Sequence, residues 1–413
     1  MTDQPPPVEA TDKPADETEG PVTEKITVQP DEGFVRWLIQ MGGSIALSTY
    51  RTNRMAFIGW DGKQVTLVMR EFDKPMGIAI QGQRMAIACR HNILMLTNSS
   101  LLAKDFTPET PGRYDGVYLP RASFYTGPLN THDMGFCDDG LWFVNTQFAC
   151  LASLSVEYSF IPRWQPSYIT QLAPEDRCHL NGMAIRNGKA AFVSAFAATN
   201  EQSKWREDKH HSGIIMDVAS KEIIQRGLCM PHSPRWHDNR LWFLDSGKGD
   251  FCVMDPKNPG KHDVVANLPG WTRGLYFIGD YALVGHGRIR EKYRKENGPP
   301  VLHKYPKLKC GVSVVNWKTG QVHGCFEFTS GPPEIYDVVF LPHCKKPSVS
   351  NLLRPETNQA LTTPEFAYWF KAQEEDGPPA NGKEPEAVAK GYGKPQPKGG
   401  RGGMMNPDIK PAV

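Results

Sequence analysis

The chain has 413 residues and a formal net charge of +2, so composition makes no bulk case for binding nucleic acid or an anionic membrane surface. No stretch approaches the roughly 18 consecutive apolar residues of a membrane span, and the first residues lack the basic and apolar regions of a signal peptide. Nine cysteines without a C-x-x-C pair read as reduced core thiols of a cytoplasmic protein rather than disulfides.

Residues 1–30 are rich in Pro, Asp, Glu and Thr and are expected to be a disordered tail. The segment F-V-R-W-L-I-Q-M, residues 34–41, has the apolar spacing of one short amphipathic helix. From residue 44 to 342 the chain alternates short apolar runs with Gly, Asn, Asp and Pro turns, the pattern of a strand-rich domain set here at 31–372. The aromatic stretch 362–371 suits docking on that domain, and residues 373–413 have the Pro/Gly/Lys composition of a second disordered tail.

The strands repeat. T-H-D-M-G-F-C, C-H-L-N-G-M-A-I and P-H-S-P-R-W-H are each followed by a turn and an apolar strand: L-W-F-V-N-T, A-A-F-V-S-A and L-W-F-L-D-S. Repetition at about 50 residues is the signature of a propeller or solenoid. Innermost strands are expected at 75–82, 132–138, 180–186, 233–238, 272–279 and 335–342. The last has no following partners, whereas 44–71 supplies three strands lacking an inner one. Joining them predicts an all-β, six-bladed β-propeller closed by N-terminal strands, which removes exposed sheet edges. A seven-bladed ring is the alternative, because 97–130 has room for a further hairpin.

L-N-G-M-A-I at 180–185 and R-W-H-D-N-R-L-W-F-L-D-S at 235–246 resemble the six-bladed propellers of the gluconolactonase, senescence-marker-protein and strictosidine-synthase group. Residues 34–370 look closer still to a bacterial family of conserved hypothetical propellers, a resemblance that implies fold but no activity. The gluconolactonase-like group holds a central divalent metal with carboxylates and asparagines. Asn181 alone matches that pattern, and the histidines depart from it.

Aligned on the inner-strand Gly77, Gly135, Gly182 and Gly274, with Arg235 and Asp337 in its place, the position three residues earlier holds Lys74, His132, His179, His232, Trp271 and Glu334. Equivalent positions of a propeller face one axis. Three imidazoles there are candidate ligands of a divalent transition metal, most simply zinc, with an open position for a bound water. Glu334 is the candidate catalytic base or a further metal ligand, Asp133 and Asn181 the outer groups that set imidazole tautomers, and Trp271 and Lys74 substrate contacts. His286 and the pair His210–His211 are further histidines on that side. Asp245-Ser246 and Asn145-Thr146 are expected to make strand-end hydrogen bonds.

Insertions at 197–211 and 287–310 each join the second and third strands of a blade, on the histidine side, where they would form a lid. Arg288 and Arg290 in the second are candidate partners for a substrate carboxylate or phosphate. Two functions follow as expectations: a metal-dependent hydrolase or lyase acting on a small anionic molecule at the channel mouth, or a non-catalytic platform for a protein or peptide.

Overall fold

The computed structural model describes residues 25–289, 298–370 and 404–405. Six blades of four antiparallel strands surround a central channel. Blade 1 runs Ile78–Gln81, Arg84–Ala88, Asn92–Asn98 and Gly116–Tyr125. Blade 2 begins at Thr131–Cys137, blade 3 at Leu180–Arg186, blade 4 at Pro231–His237 and blade 5 at Trp271–Ile278. The 97–130 stretch holds one short helix, Ser100–Ala103, and the outer strand of blade 1, so the ring is six-bladed.

The ring closes as the strand count requires. Asp337–Leu341 is the inner strand of blade 6, and the N-terminal strands Ser44–Thr49, Arg54–Trp60 and Val65–Glu71 complete it. Ser44 pairs with Leu341 and Ser48 with Asp337, which ties the two ends of the domain through backbone hydrogen bonds. The expected helix is present as Glu32–Met41. Asp31 caps it by accepting the Phe34 amide at 2.8 Å, and Gly42 ends it in the left-handed region at φ 66°.

The domain boundary needs one correction. Thr27–Pro30, placed in the tail on composition, is a strand on the outer edge of blade 5, paired with Val322–Ser330. Four residues with two half-buried positions form no core of their own, so composition alone misses them; the outer edge of blade 5 supplies the backbone partners. The other tail holds the strand Met404–Met405, paired with Phe366 and Ala367. Both C-terminal additions dock at blade 1, where Pro347–Val349 runs parallel to Gly116–Tyr125 and Arg121 donates to Thr362 Oγ1 at 2.9 Å.

Each apolar cluster of the ring joins one blade to the next. Phe57 of blade 6 packs with Ile78, Met85 and Ile87 of blade 1, and Phe192 of blade 3 with Leu241 and Phe243 of blade 4. Phe143, Phe192 and Phe243 hold the same place in the second strands of three blades and are fully buried. A buried Phe contributes about 1.5–3 kcal/mol, so the repeat is stabilised at every blade interface.

The channel floor is ionic. Arg235 and Asp337 replace the inner-strand glycine of other blades, and both reach the axis. Arg235 Nη1 lies 2.7 Å and Nη2 3.1 Å from the Asp133 carboxylate, and Nη2 is 3.9 Å from Asp337 Oδ1. The same guanidinium donates to Leu275 O at 3.1 Å and Met183 O at 3.3 Å, while Asp337 accepts the Ile78 amide at 2.8 Å. One guanidinium and two carboxylates thereby connect all six blades. Burial pushes the Asp337 carboxyl up to about 7, opposed by Arg235.

Candidate functional site

Above this axle the three histidines gather. The His132 and His179 rings are 4.7 Å apart, edge to face, and His232 joins them through Phe196, which lies 4.4 Å from His179 and 5.2 Å from His232. The repeat positions thus bring the imidazoles together although their blades are separate in sequence.

Each ring is fixed through Nδ1. His132 Nδ1 is 2.7 Å from both Asn130 O and Thr146 Oγ1. His232 Nδ1 is 3.0 Å from Met230 O and 2.8 Å from Ser246 Oγ. A carbonyl can only accept, so Nδ1 carries the proton in both rings and Nε2 presents a lone pair. His179 Nδ1 instead faces the Asp176 carboxylate, at 2.9 Å from Oδ2. Thr146 and Ser246, expected to be strand-end groups, are therefore the residues that set two tautomers. Their neighbours Asn145 and Asp245 do serve the strand ends, accepting the amides of Phe148 and Cys229.

The backbone around the rings is strained. Lys74, Asn130, Asp176, His179, Met230 and Ser233 all have φ between 47° and 52°, the left-handed region that favours glycine. Each such residue costs about 1–3 kcal/mol, and such strain concentrates where side chains must be aimed.

Sequence reasoning missed four residues that shape this site. Arg273 Nη2 donates to His232 Nε2 at 2.9 Å, and its guanidinium stacks 4.3 Å above the Tyr336 ring. Tyr336 is buried and lies 5.5 Å from His132. Trp205, from the 197–211 insertion, packs 4.2 Å from His179 with its ring tilted by 36°. Asp176 holds that same ring from the other edge. One signal was present: Arg273 and Tyr336 both stand one residue before the aligned inner-strand position, where other blades carry Met76, Met134, Asn181 and Pro234. Trp205 and Asp176 lie in loops without periodicity.

Electrostatics follow from this packing. Burial holds His132 and His232 well below the usual imidazole range, reinforced at His132 by His179 and Arg273 and at His232 chiefly by Arg273. Both rings are neutral at physiological pH. No ion pair links Arg273 to a carboxylate among the described residues, and its Nε, the Tyr336 hydroxyl and the Trp205 indole N–H are buried without a hydrogen-bond partner there. Buried donors left unmet cost about 1–3 kcal/mol each, a cost that an acceptor placed among them would relieve.

Other expected site residues go elsewhere. Asp133 belongs to the axle, where Arg235 claims both its oxygens. Asn181 accepts from Ser194 Oγ at 2.7 Å and sets no imidazole tautomer. Glu334 accepts the Arg51 amide at 3.0 Å at the rim between blades 5 and 6, so the carboxylate behind an imidazole is Asp176. Lys74 stays beside His132, its Nζ 3.3 Å from Asn130 Oδ1, and Trp271 lies 6.2 Å from His232. Arg288 turns back into the frame, donating to Phe328 O at 3.1 Å; Arg290 lies outside the described residues. His286 is sealed inside blade 5 between Lys309 O and Ser313 Oγ, and His211 pairs with Asp208 on the loop surface.

The three imidazoles do not fit a zinc triad as they stand. Arg273 takes the Nε2 lone pair of His232 that a metal would need, and a guanidinium beside it repels a cation. Among the described residues no group of three His, Cys, Asp or Glu is placed to hold a metal ion. No helix among them is long and apolar enough to cross a membrane, and the nine cysteines are unpaired.

Solved structures align with this chain at low identity. A nidogen/laminin complex aligns at 8% identity and TM-score 0.44, covering 73% of this chain and 99% of that one. The calcium-binding protein regucalcin from Agrobacterium tumefaciens aligns at 12% identity and TM-score 0.39, over 73% and 90%. Virginiamycin B lyase from Staphylococcus aureus, in a catalytically inactive form with quinupristin, aligns at 9% identity and TM-score 0.37, over 74% and 100%. No curated protein sequence matches. A family match covers residues 32–350, and on that ground the chain belongs to the family described as Domain of unknown function (DUF4915).

Proposed function

We propose that the channel mouth is the site of an acid–base enzyme acting on a small organic anion, by elimination or hydrolysis. The observation that carries this reading is a guanidinium without a carboxylate partner among the described residues, set against three imidazoles, one of them backed by Asp176. Arg273 binds the anionic group through charge-assisted hydrogen bonds. His179 takes a proton at Nε2, and Asp176 stabilises the imidazolium that forms. His132, buried and neutral, offers a second Nε2 acceptor beside it. Zinc at this site would require His232 to leave Arg273, so the reading uses no metal.

The test is a panel of small carboxylates and phosphate esters incubated with the protein in deuterated water and followed by NMR. The expected result is consumption of a panel member, or deuterium incorporation into it, falling by about 10²–10⁴-fold in His179→Gln. A panel left unchanged by the native protein, or a turnover equal in the variant, contradicts the reading.

A second reading, a platform for another protein, draws on one observation. Leu352, Leu353, Leu361, Phe366, Tyr368 and Phe370 expose apolar surface together on the C-terminal segment beside blade 1. That surface is separate from the histidines, and the two readings are compatible.

A further inference from the structure

Resting on the reading of the mouth as an anion site, we infer that its ligand is a small hydroxycarboxylate with an apolar body. The lining is divided by hydrogen-bond sense. On one side stand donors: Arg273, whose Nε is unmet, and the buried Tyr336 hydroxyl, also unmet. On the other stand acceptors: with Nδ1 tied to the frame, His132 and His179 present Nε2 lone pairs. A ligand that satisfies both sides carries an anionic acceptor and a donor. Arg273 and His132 both lie against the one Tyr336 ring, at 4.3 and 5.5 Å, so one small ligand carries both groups.

The donor is a hydroxyl rather than an ammonium. Arg273 and Lys74 both act on His132 as positive neighbours, and the Asp176 carboxylate is engaged behind His179. A cationic donor entering that field meets repulsion; a neutral one does not. The body of the ligand faces Phe196, Trp205 and Trp271, which cluster with Met230 into an aromatic wall beside His179 and His232. Such walls bind apolar groups through area and ring contact.

The experiment is isothermal titration calorimetry of the whole protein with mandelate, phenylacetate, phenylglycine and mandelamide, repeated on Tyr336→Phe and Arg273→Lys, with melting curves confirming folded variants. The expected order has mandelate tightest. Phenylacetate, which lacks the hydroxyl, should bind about tenfold more weakly, the effect of one hydrogen bond left unmade. Phenylglycine and mandelamide should be weaker still. Tyr336→Phe should weaken mandelate and phenylacetate by a similar several-fold factor while leaving mandelamide unchanged. Equal affinity for mandelate, phenylacetate and phenylglycine, all lost in Arg273→Lys, overturns the hydroxy-acid inference and leaves the anion site standing. Binding of mandelamide as tight as that of mandelate, or no binding of any probe, overturns both.

Discussion

Three histidines at one repeat position have three different fates, decided by what reaches each ring. His132 and His232 share a holder, the Thr146 or Ser246 hydroxyl at the same point of two blades, and His179 is held by Asp176 from a loop. All three arrangements put the proton on Nδ1. Nitrogen-15 NMR of histidine-labelled protein at pH 7 should therefore show His132 and His232 as neutral Nδ1–H tautomers, still neutral at pH 6, because burial and Arg273 hold both well below the usual range. Ring nitrogens averaging to the charged form at pH 6 would count against this account of the site. The imidazoles were legible in the sequence because they recur with the blade. Arg273, which changes what they can do, was not: an arginine occurs only once at its repeat position, where other blades carry Met76, Met134, Asn181 and Pro234.

At the scale of elements, the repeat made the fold readable. Alternating inner strands, glycines at their centres and L-W-F or A-A-F second strands announce blades, and a terminal blade short of its partners announces closure. Residues 27–30 were not readable, because their stability comes from the edge of blade 5 rather than from their own side chains. The same reasoning ranks truncations. Removing residues 1–24 should leave a soluble domain, whereas removal to residue 71 takes three strands of blade 6 and should abolish it; circular dichroism and sedimentation of the two products check this. Phe143→Ala, Phe192→Ala and Phe243→Ala should each destabilise by about 3–5 kcal/mol in urea unfolding, since each empties a blade interface. A loss below 1 kcal/mol at any of the three would contradict the interlocked-blade account.

The whole molecule is held from its centre as well as between blades. Arg235→Met leaves Asp133 and Asp337 facing each other without a cation, and should cost about 3–5 kcal/mol, the usual penalty for breaking a buried pair. Acid should destabilise the native protein too. His132, His232 and His286 have depressed values, His286 at about 4, so the unfolded chain takes up protons below the ordinary 6.5 while the folded one does not. Their stabilisation is complete above 6.5 and is lost as pH falls toward the folded values, at about 1.4 kcal/mol per proton per pH unit. Asp337 acts oppositely, its raised carboxyl favouring the folded state at low pH, yet one carboxyl is outweighed by three imidazoles. Urea midpoints should fall steadily from pH 6.5 to 4.5; a flat or rising profile would show that the buried imidazoles are not neutral.

The central claim is that Arg273 makes the channel mouth an anion site. The most direct measurement is benzoate binding by calorimetry to the native protein, Arg273→Met and Arg288→Met, at one pH and ionic strength. The account predicts one saturable site, weakened at least about tenfold in Arg273→Met by loss of a charge-assisted hydrogen bond. It predicts no change in Arg288→Met, where the guanidinium is committed to the Phe328 carbonyl. Equal binding by the native protein and Arg273→Met, or loss in Arg288→Met alone, would contradict it.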